Sequence, residues 1–493
     1  MKLAQRVAFN ASIQLVGQAV VVIGGIAAVA VAARYLGLRD YGALITATVF
    51  VSLFTLVTDF GVSAIGGREI AKLPEAAERI VWSLIVLGTV TALGTAAVAY
   101  GISLAAYGGE DHARTREAIL ILLLPLLVSG PRSAANAYLV ARQRVYLSTY
   151  AAMATRVVSL VAVVIVAAAD LGLVAMVLAY AAIPVVETAL TFLLARRAGM
   201  VFARVWDAPL TRSLLRASAP MGGVMLLNSL YFRLDLLLLS LLSTTSAVAL
   251  YGVAYKVVEG FMALPSYLMV TLLPDLARAE PRSERLGSLM QNAFAAMQLV
   301  AVPIVALSFF GDELMRFVGG GSFDGGALAL QLLMLGVAFS YIQAVFGYAL
   351  VAQNKQYLAF VNSGVVLVVN LVLNLILIPP FGVEGAAAAL VATELLSLVS
   401  TMWLYRRVGP IPGLHAPVRT LVAGAAMVGV VLAAKLLIPR AFDSPLATLV
   451  IGGSLASLLY FVVLARLDAF PAPLRPLLAH PLLRRLRVAR AAG

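Results

Sequence analysis

Charged side chains interrupt long apolar stretches of this sequence at Asp59, Arg132, Glu187, Arg233, Asp235, Lys256, Glu259, Glu394 and Lys435. A charge in such a setting is costly and marks either a functional contact or a buried pair. Arg233 and Asp235 are two residues apart, about 200° around a regular helix, so they cannot pair with each other. Each needs a partner elsewhere, and Arg233 is read as facing a cavity. Asn228, Tyr231 and Asp235, at i, i+3 and i+7, share one helix face. Lys256 and Glu259 are one turn apart and can pair; pairing and cavity lining are both open for them. Arg132 follows Pro131, where a kink would expose it to water; otherwise it is a strut between lobes. Asp59 lies late in its apolar run. Glu187 and Glu394 are read as packing partners, and Lys435, near a run's end, as a snorkelling side chain.

Uncharged amides form two further lines: Asn10, Gln14 and Gln18 at i, i+4 and i+8, and Asn362, Asn370 and Asn374. Amides of this kind bind hydroxyl-rich molecules such as sugars. The competing reading is hydrogen bonding between helices, worth under about 1 kcal/mol on average in a membrane. No catalytic constellation stands out. There is no Walker motif, so no ATPase within this chain powers it. A Ser/His/Asp set and a His-Glu metal motif are absent too. His112, His415 and His480 lie far apart and read as solvated loop or tail residues. No cysteine occurs, which excludes disulfides and thiol chemistry. Catalytic residues, a metal and a cofactor are therefore not expected; coupling to protons, sodium or the membrane potential stays open.

What must position these residues is legible from the apolar rhythm. Roughly twenty apolar residues alternate with a short polar break, some fourteen times. The 493 residues are 62% hydrophobic and 12% charged, with mean hydropathy +0.99. A soluble domain is about a quarter charged and about half apolar, whereas a bilayer core about 30 Å thick needs about 20 apolar residues per helix. The chain is expected to be an all-α polytopic membrane protein. Its spans fall at 10–33, 43–65, 81–107, 117–140, 150–169, 173–195, 217–242, 250–273, 289–310, 327–352, 357–378, 383–405, 418–438 and 445–465. The first run is longer than a signal-peptide core and reads as a retained helix.

The formal charge of +13 and pI of about 10.1 would suggest nucleic acid in a soluble protein. Here the basic residues cluster in alternate loops instead. One set, including Arg68, Lys72, Arg142, Arg144, Arg196, Arg197, Arg278, Arg406 and the arginines from Arg466 onward, holds 25 of the 36 lysines and arginines. The opposite set, Arg34, Arg39, Arg114, Arg116, Arg316 and Arg440, holds six. The positive-inside rule places the first set, and both termini, in the cytoplasm. The tail reads as a positive-inside anchor rather than an amphipathic lipid-binding segment.

A repeat recurs at about 210 residues. Tyr41-Gly42 returns as Tyr251-Gly252, Arg68 as Arg278, Ala141-Arg142-Gln143 as Ala352-Gln353-Asn354, Gly172 as Gly382, and Arg196-Arg197 as Arg406-Arg407. Together these indicate duplication. The expected organisation is a six-helix lobe at 1–197, a linker at 198–216, a second six-helix lobe at 217–407, two further helices at 417–466 and a basic tail at 467–493. Lobes of six helices insert with the same orientation, related by an axis along the membrane normal, and such pairs work by rocking around a midplane cavity.

The stretch from Ala33-Arg34-Tyr35-Leu36-Gly37 to Asp40-Tyr41-Gly42 resembles a segment of the polysaccharide-export flippases. So do Thr58-Asp59-Phe60-Gly61-Val62, Arg68-Glu69-Ile70-Ala71-Lys72, Phe232-Arg233-Leu234-Asp235, Leu250-Tyr251-Gly252-Val253-Ala254-Tyr255-Lys256 and Pro274-Asp275-Leu276-Ala277-Arg278. The resemblance runs over essentially the whole chain. It implies the multidrug/oligosaccharidyl-lipid/polysaccharide exporter superfamily and a central cavity lined mainly by spans one, two, seven and eight. It also implies flipping of undecaprenyl-pyrophosphate-linked oligosaccharide from the inner to the outer leaflet of the cell membrane, for surface polysaccharide assembly. Membrane lipids, the lipid-linked oligosaccharide and a polysaccharide polymerase are the implied partners; nucleic acid is not. Arg233 and Lys256 could supply the cations a pyrophosphate needs. Asp235, Glu259, Arg132, Asn228, Gln14, Gln18 and Asp59 complete the candidate substrate-binding set. Three alternatives were weighed. A lipid II flippase would show a Ser-Arg-x-x-Gly-x-x-Arg pattern at span one, where Gly24 and Gly25 stand instead. A cation-coupled multidrug exporter would carry an acid in that span, and none occurs. A scaffold or polymerase is the third; a polymerase would need a larger outer loop than 311–326.

Overall fold

The computed structural model describes residues 3–204, 206–413, 415–442, 444–467 and 469–470. Their regular structure is helical throughout, with no strand among the described residues. Contacts divide the chain into two compact units, Met1–Gly252 and Val253–Gly493.

In the first unit, spans one and two run together as α1 (Leu3–Asp59), 57 residues long. A straight helix of that length would be about 85 Å, far beyond a bilayer. Gly37, at φ 68° and ψ −175°, makes the corner, a conformation open to a residue without a Cβ. The chain breaks again at Phe60 and Gly61, both with positive φ, before α2 (Val62–Lys72). Then come α3 (Ala77–Ala106), α4 (Ala113–Leu123) and α5 (Ser129–Ala141). Span four is thus two helices joined by a 3-10 turn, Leu124–Val128. The unit continues through α6 (Tyr146–Ala168), α7 (Gly172–Arg197) and α8 (Ala208–Leu242), and the division falls within α9 (Thr245–Met262). The walls are tight where small residues face each other: a Cβ on Gly88 would lie 2.5 Å from the Gly130 Cα, so α3 and α5 touch backbone to backbone. Span seven also packs here, with α8 against α1, α2 and α3 and a 2.8 Å hydrogen bond between the Tyr107 and Ser240 hydroxyls. The sequence reading places span seven after the 198–216 linker, in the second lobe.

The second unit continues with α10 (Leu264–Arg278), α11 (Glu284–Leu307), α12 (Gly311–Gly319) and α13 (Ala327–Ala352). Spans eleven and twelve form α14 (Gln356–Tyr405), turned at Gly382 with φ 54° and ψ −122°. After α15 (His415–Ala441), a short α16 (Pro445–Ala447) leads through a π turn into α17 (Gly453–Arg466). Spans thirteen and fourteen pack on α11, around Phe310, Met427, Val431, Tyr460 and Leu464. Lys435 has partners that the sequence reading did not name. Its Nζ lies 2.8 Å from Asp312 Oδ2 and 3.4 Å from Glu313 Oε2 and donates to the Phe309 carbonyl at 3.0 Å. With two carboxylates in reach, the ammonium ties α15 to α12.

Two local geometries recur at the spacing of the sequence repeat. Gln143 (φ 56°) and Asn354 (φ 57°) take the left-handed conformation just past a helix end. The next amide then closes back, Arg144 N–H to Leu139 O and Lys355 N–H to Leu350 O, each at 2.8 Å, as in a Schellman cap. Gly172 and Gly382 likewise share positive φ.

The outer faces are apolar. Val90, Leu93 and Val98 on α3, Val157, Val161 and Val164 on α6, and Val365, Val368 and Ile376 on α14 are exposed. In water such surface would aggregate; against lipid it is the required covering. Among the described residues, 11 stretches are long and apolar enough to cross a membrane. Counting the two cornered ones twice and adding α8 returns the fourteen crossings read from the sequence. The chain is an all-α, multi-pass membrane protein.

Candidate functional site

The interior of the first unit holds a cavity of about 200 Å³. Its walls are the second half of α1, the 3-10 turn with α5, and α7. Irregular backbone opens this space. Pro125 stands in the 3-10 turn. Pro184 has no N–H, so the Tyr180 carbonyl one turn earlier loses its helical partner. Pro131 sits in the first turn of α5, where a proline costs nothing; the break in span four is at Leu124–Val128 rather than the expected kink at Pro131.

The lining residues carry two kinds of hydroxyl. Thr48 donates to Leu44 O at 2.7 Å, Ser52 to Val49 O at 2.7 Å, Thr55 to Val51 O at 3.1 Å, and Ser129 to Gly88 O at 3.1 Å. Their protons are spent, so they present lone pairs. Tyr180 and Thr188 line it with other atoms, for Tyr180 Oη and Thr188 Oγ1 are themselves sealed from the space and have no hydrogen-bond partner. Arg132 also lines the space; it is half-buried and forms no ion pair among the described residues. A second cation escaped the sequence reading. Arg156, half-buried on α6, lies within electrostatic reach of the Tyr180 hydroxyl and packs its Cβ against α1 at Gly24. The rule that picked out Arg132, a charge inside an apolar run, would have found it.

Asp59 is held rather than open. Ser133 donates to its Oδ1 at 2.5 Å and Ser63 to its Oδ2 at 2.9 Å, so it joins α1 to α5 beside Arg132. Glu187 is half-buried next to Thr188, with no ion pair among the described residues. On α8, Arg233 is half-buried and again unpaired among the described residues. Asp235, only 3% exposed, accepts from the Tyr251 hydroxyl at 3.2 Å. That bond keeps a buried carboxylate satisfied and fixes α8 against the start of α9. The side chains of Asn10, Gln14, Gln18 and Asn228 lie outside the described residues, as does the tail beyond residue 470. His112 is not a free loop residue: its ring stacks edge-on against Tyr107, centroids 5.6 Å apart.

In the second unit, Lys256 Nζ lies 2.6 Å from Glu259 Oε2, which realises the pairing reading. The amide line is a network. Asn362 and Gln343 both donate to Thr401 Oγ1, at 3.0 and 3.3 Å. Asn370 donates to Thr393 Oγ1 at 3.3 Å, and Asn374 to the Asn370 carbonyl at 2.9 Å. These amides join helices, as the second reading had it. Glu394 is buried beside them at 7% exposure.

Long apolar helices, a polar interior and buried cations define a membrane-transporter fold, and solved structures share it. The lipid II flippase MurJ matches with a TM-score of 0.76 at 13% identity, covering 93% of this chain and 99% of that one. A multidrug resistance MATE family transporter matches with a TM-score of 0.63 at 13% identity, covering 79% and 94%. Identity at that level carries the fold alone. The sequence fits the model of the polysaccharide biosynthesis protein family over residues 31–325, more than half the chain, and the protein belongs to that family. Among curated relatives, the probable low-salt glycan biosynthesis flippase Agl15 of Haloferax volcanii is 28% identical over 192 residues, 36% of this chain and 41% of that protein. The probable flippase AglR of the same organism is 25% identical over 203 residues, 40% and 43%. The capsular polysaccharide biosynthesis protein CapF of Staphylococcus aureus is 23% identical over 158 residues, 32% and 40%. The matched regions span about two fifths of each relative's length.

Proposed function

We propose that this protein is a flippase. It moves undecaprenyl-pyrophosphate-linked oligosaccharide repeat units from the inner to the outer leaflet of the plasma membrane by alternating access, for assembly of a surface polysaccharide. A polysaccharide polymerase would consume the product. Family membership supports the substrate class, and two relatives that carry the word flippase support the activity. The observation that carries the reading is Arg233: a half-buried guanidinium in a membrane-spanning helix, without a counter-ion among the described residues. Such a group requires a reason to be there, and a pyrophosphate oxygen pair is a suitable one. Lys256, held by Glu259, is the weaker candidate for the same head group.

Arg233→Ala is expected to abolish translocation at matched membrane abundance, with lipid-linked units retained on the cytoplasmic leaflet. Arg233→Lys keeps the charge but loses the fork, so part of the activity remains. Full activity of Arg233→Ala moves the head-group site elsewhere. A deletion strain with intact surface glycan and new drug sensitivity would identify a multidrug exporter instead. Both termini are proposed to be cytoplasmic: a reporter fused after Gly493 should read inside and one at Gly320 outside.

A further inference from the structure

We propose that the Tyr405 end of α14, in the second unit, binds one anionic phospholipid of the surrounding leaflet, its phosphodiester held by Arg406 and Arg407. The inference is independent of what the protein carries. It starts from one helix face. Leu395, Val399 and Trp403 follow one another at i, i+4 and i+8 on the second half of α14, and all three are exposed. Residues at that spacing share a face, and in a bilayer this one meets acyl chains. The next residue at the same spacing is Arg407. Apolar surface therefore runs down the face to a cation at its end, in the order in which a phospholipid presents tail and phosphate.

The depth is that of the head groups. Asn362 meets Thr401 and Asn370 meets Thr393, so the two halves of α14 keep one antiparallel register, which sets Tyr357 opposite Arg406. Tyr357 and Trp403 are both exposed, and such rings mark the interface between lipid and water. The cations are gathered there. Arg407 Cζ lies 4.2 Å from the centre of the Trp403 ring and Arg406 Cζ 5.6 Å, where the ring face attracts them. Arg282 joins from the turn after α10 and donates to the Arg407 carbonyl at 3.4 Å, leaving Arg406 and Arg407 as the pair that meets the lipid. Both are exposed, and neither forms an ion pair among the described residues. Glu280 and Glu284 flank Arg282 in the chain without pairing to it, and Asp275 takes Arg285 at 3.8 Å.

Like charges held together without a counter-ion repel. A phosphodiester removes the repulsion and offers two oxygens to a guanidinium fork. Residues 471–493 carry five arginines and no acidic side chain, so the tail does not supply the missing charge. A zwitterionic phospholipid brings its own ammonium, which the two arginines disfavour; a lipid of net negative charge does not. The equivalent end of the first unit lacks the site. Arg196 lies 5.1 Å from the Phe202 ring centre but donates to the Met200 carbonyl at 3.1 Å, and Phe202 is stacked on Trp82 at 5.7 Å. Both rings are half-buried, so ring and cation serve the protein itself.

The test uses the full-length protein in nanodiscs, with Trp82→Phe and Trp206→Phe leaving Trp403 as its one tryptophan. Brominated phosphatidylglycerol and brominated phosphatidylcholine, at equal mole fraction, quench an indole they touch. Trp403 should prefer the anionic lipid by about 25-fold, about fivefold for each arginine near the surface. Arg407→Gln should cut the preference to about fivefold, and Arg406→Gln with Arg407→Gln should abolish it. Arg197→Gln removes the same charge from the first unit and should change nothing. Equal quenching by the two lipids overturns the proposal, as does a preference that survives the double substitution. An equal loss in Arg197→Gln would reduce the effect to a general surface field and overturns it too. Displacement by millimolar inorganic phosphate would make this a site for soluble anions, again against the proposal. Should the single-tryptophan protein not fold, native mass spectrometry of the protein with all its tryptophans reads the same preference as retained phosphatidylglycerol over phosphatidylcholine, with the same variants and outcomes.

Discussion

Corresponding polar positions in the two units are used differently. At the spacing of the helix-cap repeat, 211 residues after Arg132, stands Gln343. In the first unit Arg132 faces a cavity whose neighbouring hydroxyls, Tyr180 and Thr188, have no partner. In the second, Gln343 reaches Thr401, which also receives Asn362, while Asn370 and Asn374 link in turn. The amides of span eleven bond among themselves and to Thr393 and Thr401, whereas the Tyr180 and Thr188 hydroxyls stay without a partner; buried atoms of that second kind occur in both units, Gln298 Oε1 and Tyr405 Oη among them. Duplicated architecture thus does not imply duplicated chemistry. A polar residue in a membrane helix becomes binding surface only where its neighbours fail to satisfy it.

Substitutions can break this comparison. The largest effect is expected from Gly130→Leu: its side chain would drive into the Ile85 carbonyl and the Thr89 hydroxyl of α3. Overpacking backbone against backbone should cost about 3 kcal/mol and remove the monodisperse peak in size-exclusion chromatography. Next comes Asn370→Ala, which takes from Asn374 the side-chain acceptor 3.2 Å away. A loss of about 1 kcal/mol is expected, seen as a lower melting temperature in detergent. Tyr180→Phe and Thr188→Val should go the other way, neutral or up to about 1 kcal/mol more stable, because each removes a buried donor that has nothing to bind. If they destabilise as much as Asn370→Ala, these two hydroxyls are not without a partner and the contrast fails.

The crossings were legible because one physical length, the bilayer, stamps each of them. The Lys256–Glu259 pair was legible because its partners are three residues apart on one helix. The partners of Lys435 were not legible because its carboxylates come 123 and 122 residues earlier in the chain, a distance no helical spacing reveals. The cavity was hidden for a related reason. Its shape depends on where span four turns into a 3-10 segment, and Pro131 was the more conspicuous signal although Pro125 and Pro184 stand in the walls. Arg156 was as visible as Arg132 by the same rule. The amides of span eleven could not be resolved from sequence, since donors to a ligand and donors to Thr393 or Thr401 look identical until the facing helix is placed.

Gly37 and Gly382 also limit what can be learned from outside the cell. At each, two helices meet at a single non-helical glycine with no loop between them. A corner of that kind gives a protease no extended strand to seat and an antibody no projecting peptide to grip. Surface shaving and epitope mapping should be blind at residues 37 and 382 whichever side of the membrane they occupy. Tags meant to report topology belong at Gly108–Gly109 or Gly320–Gly321, where neighbouring residues leave the helix.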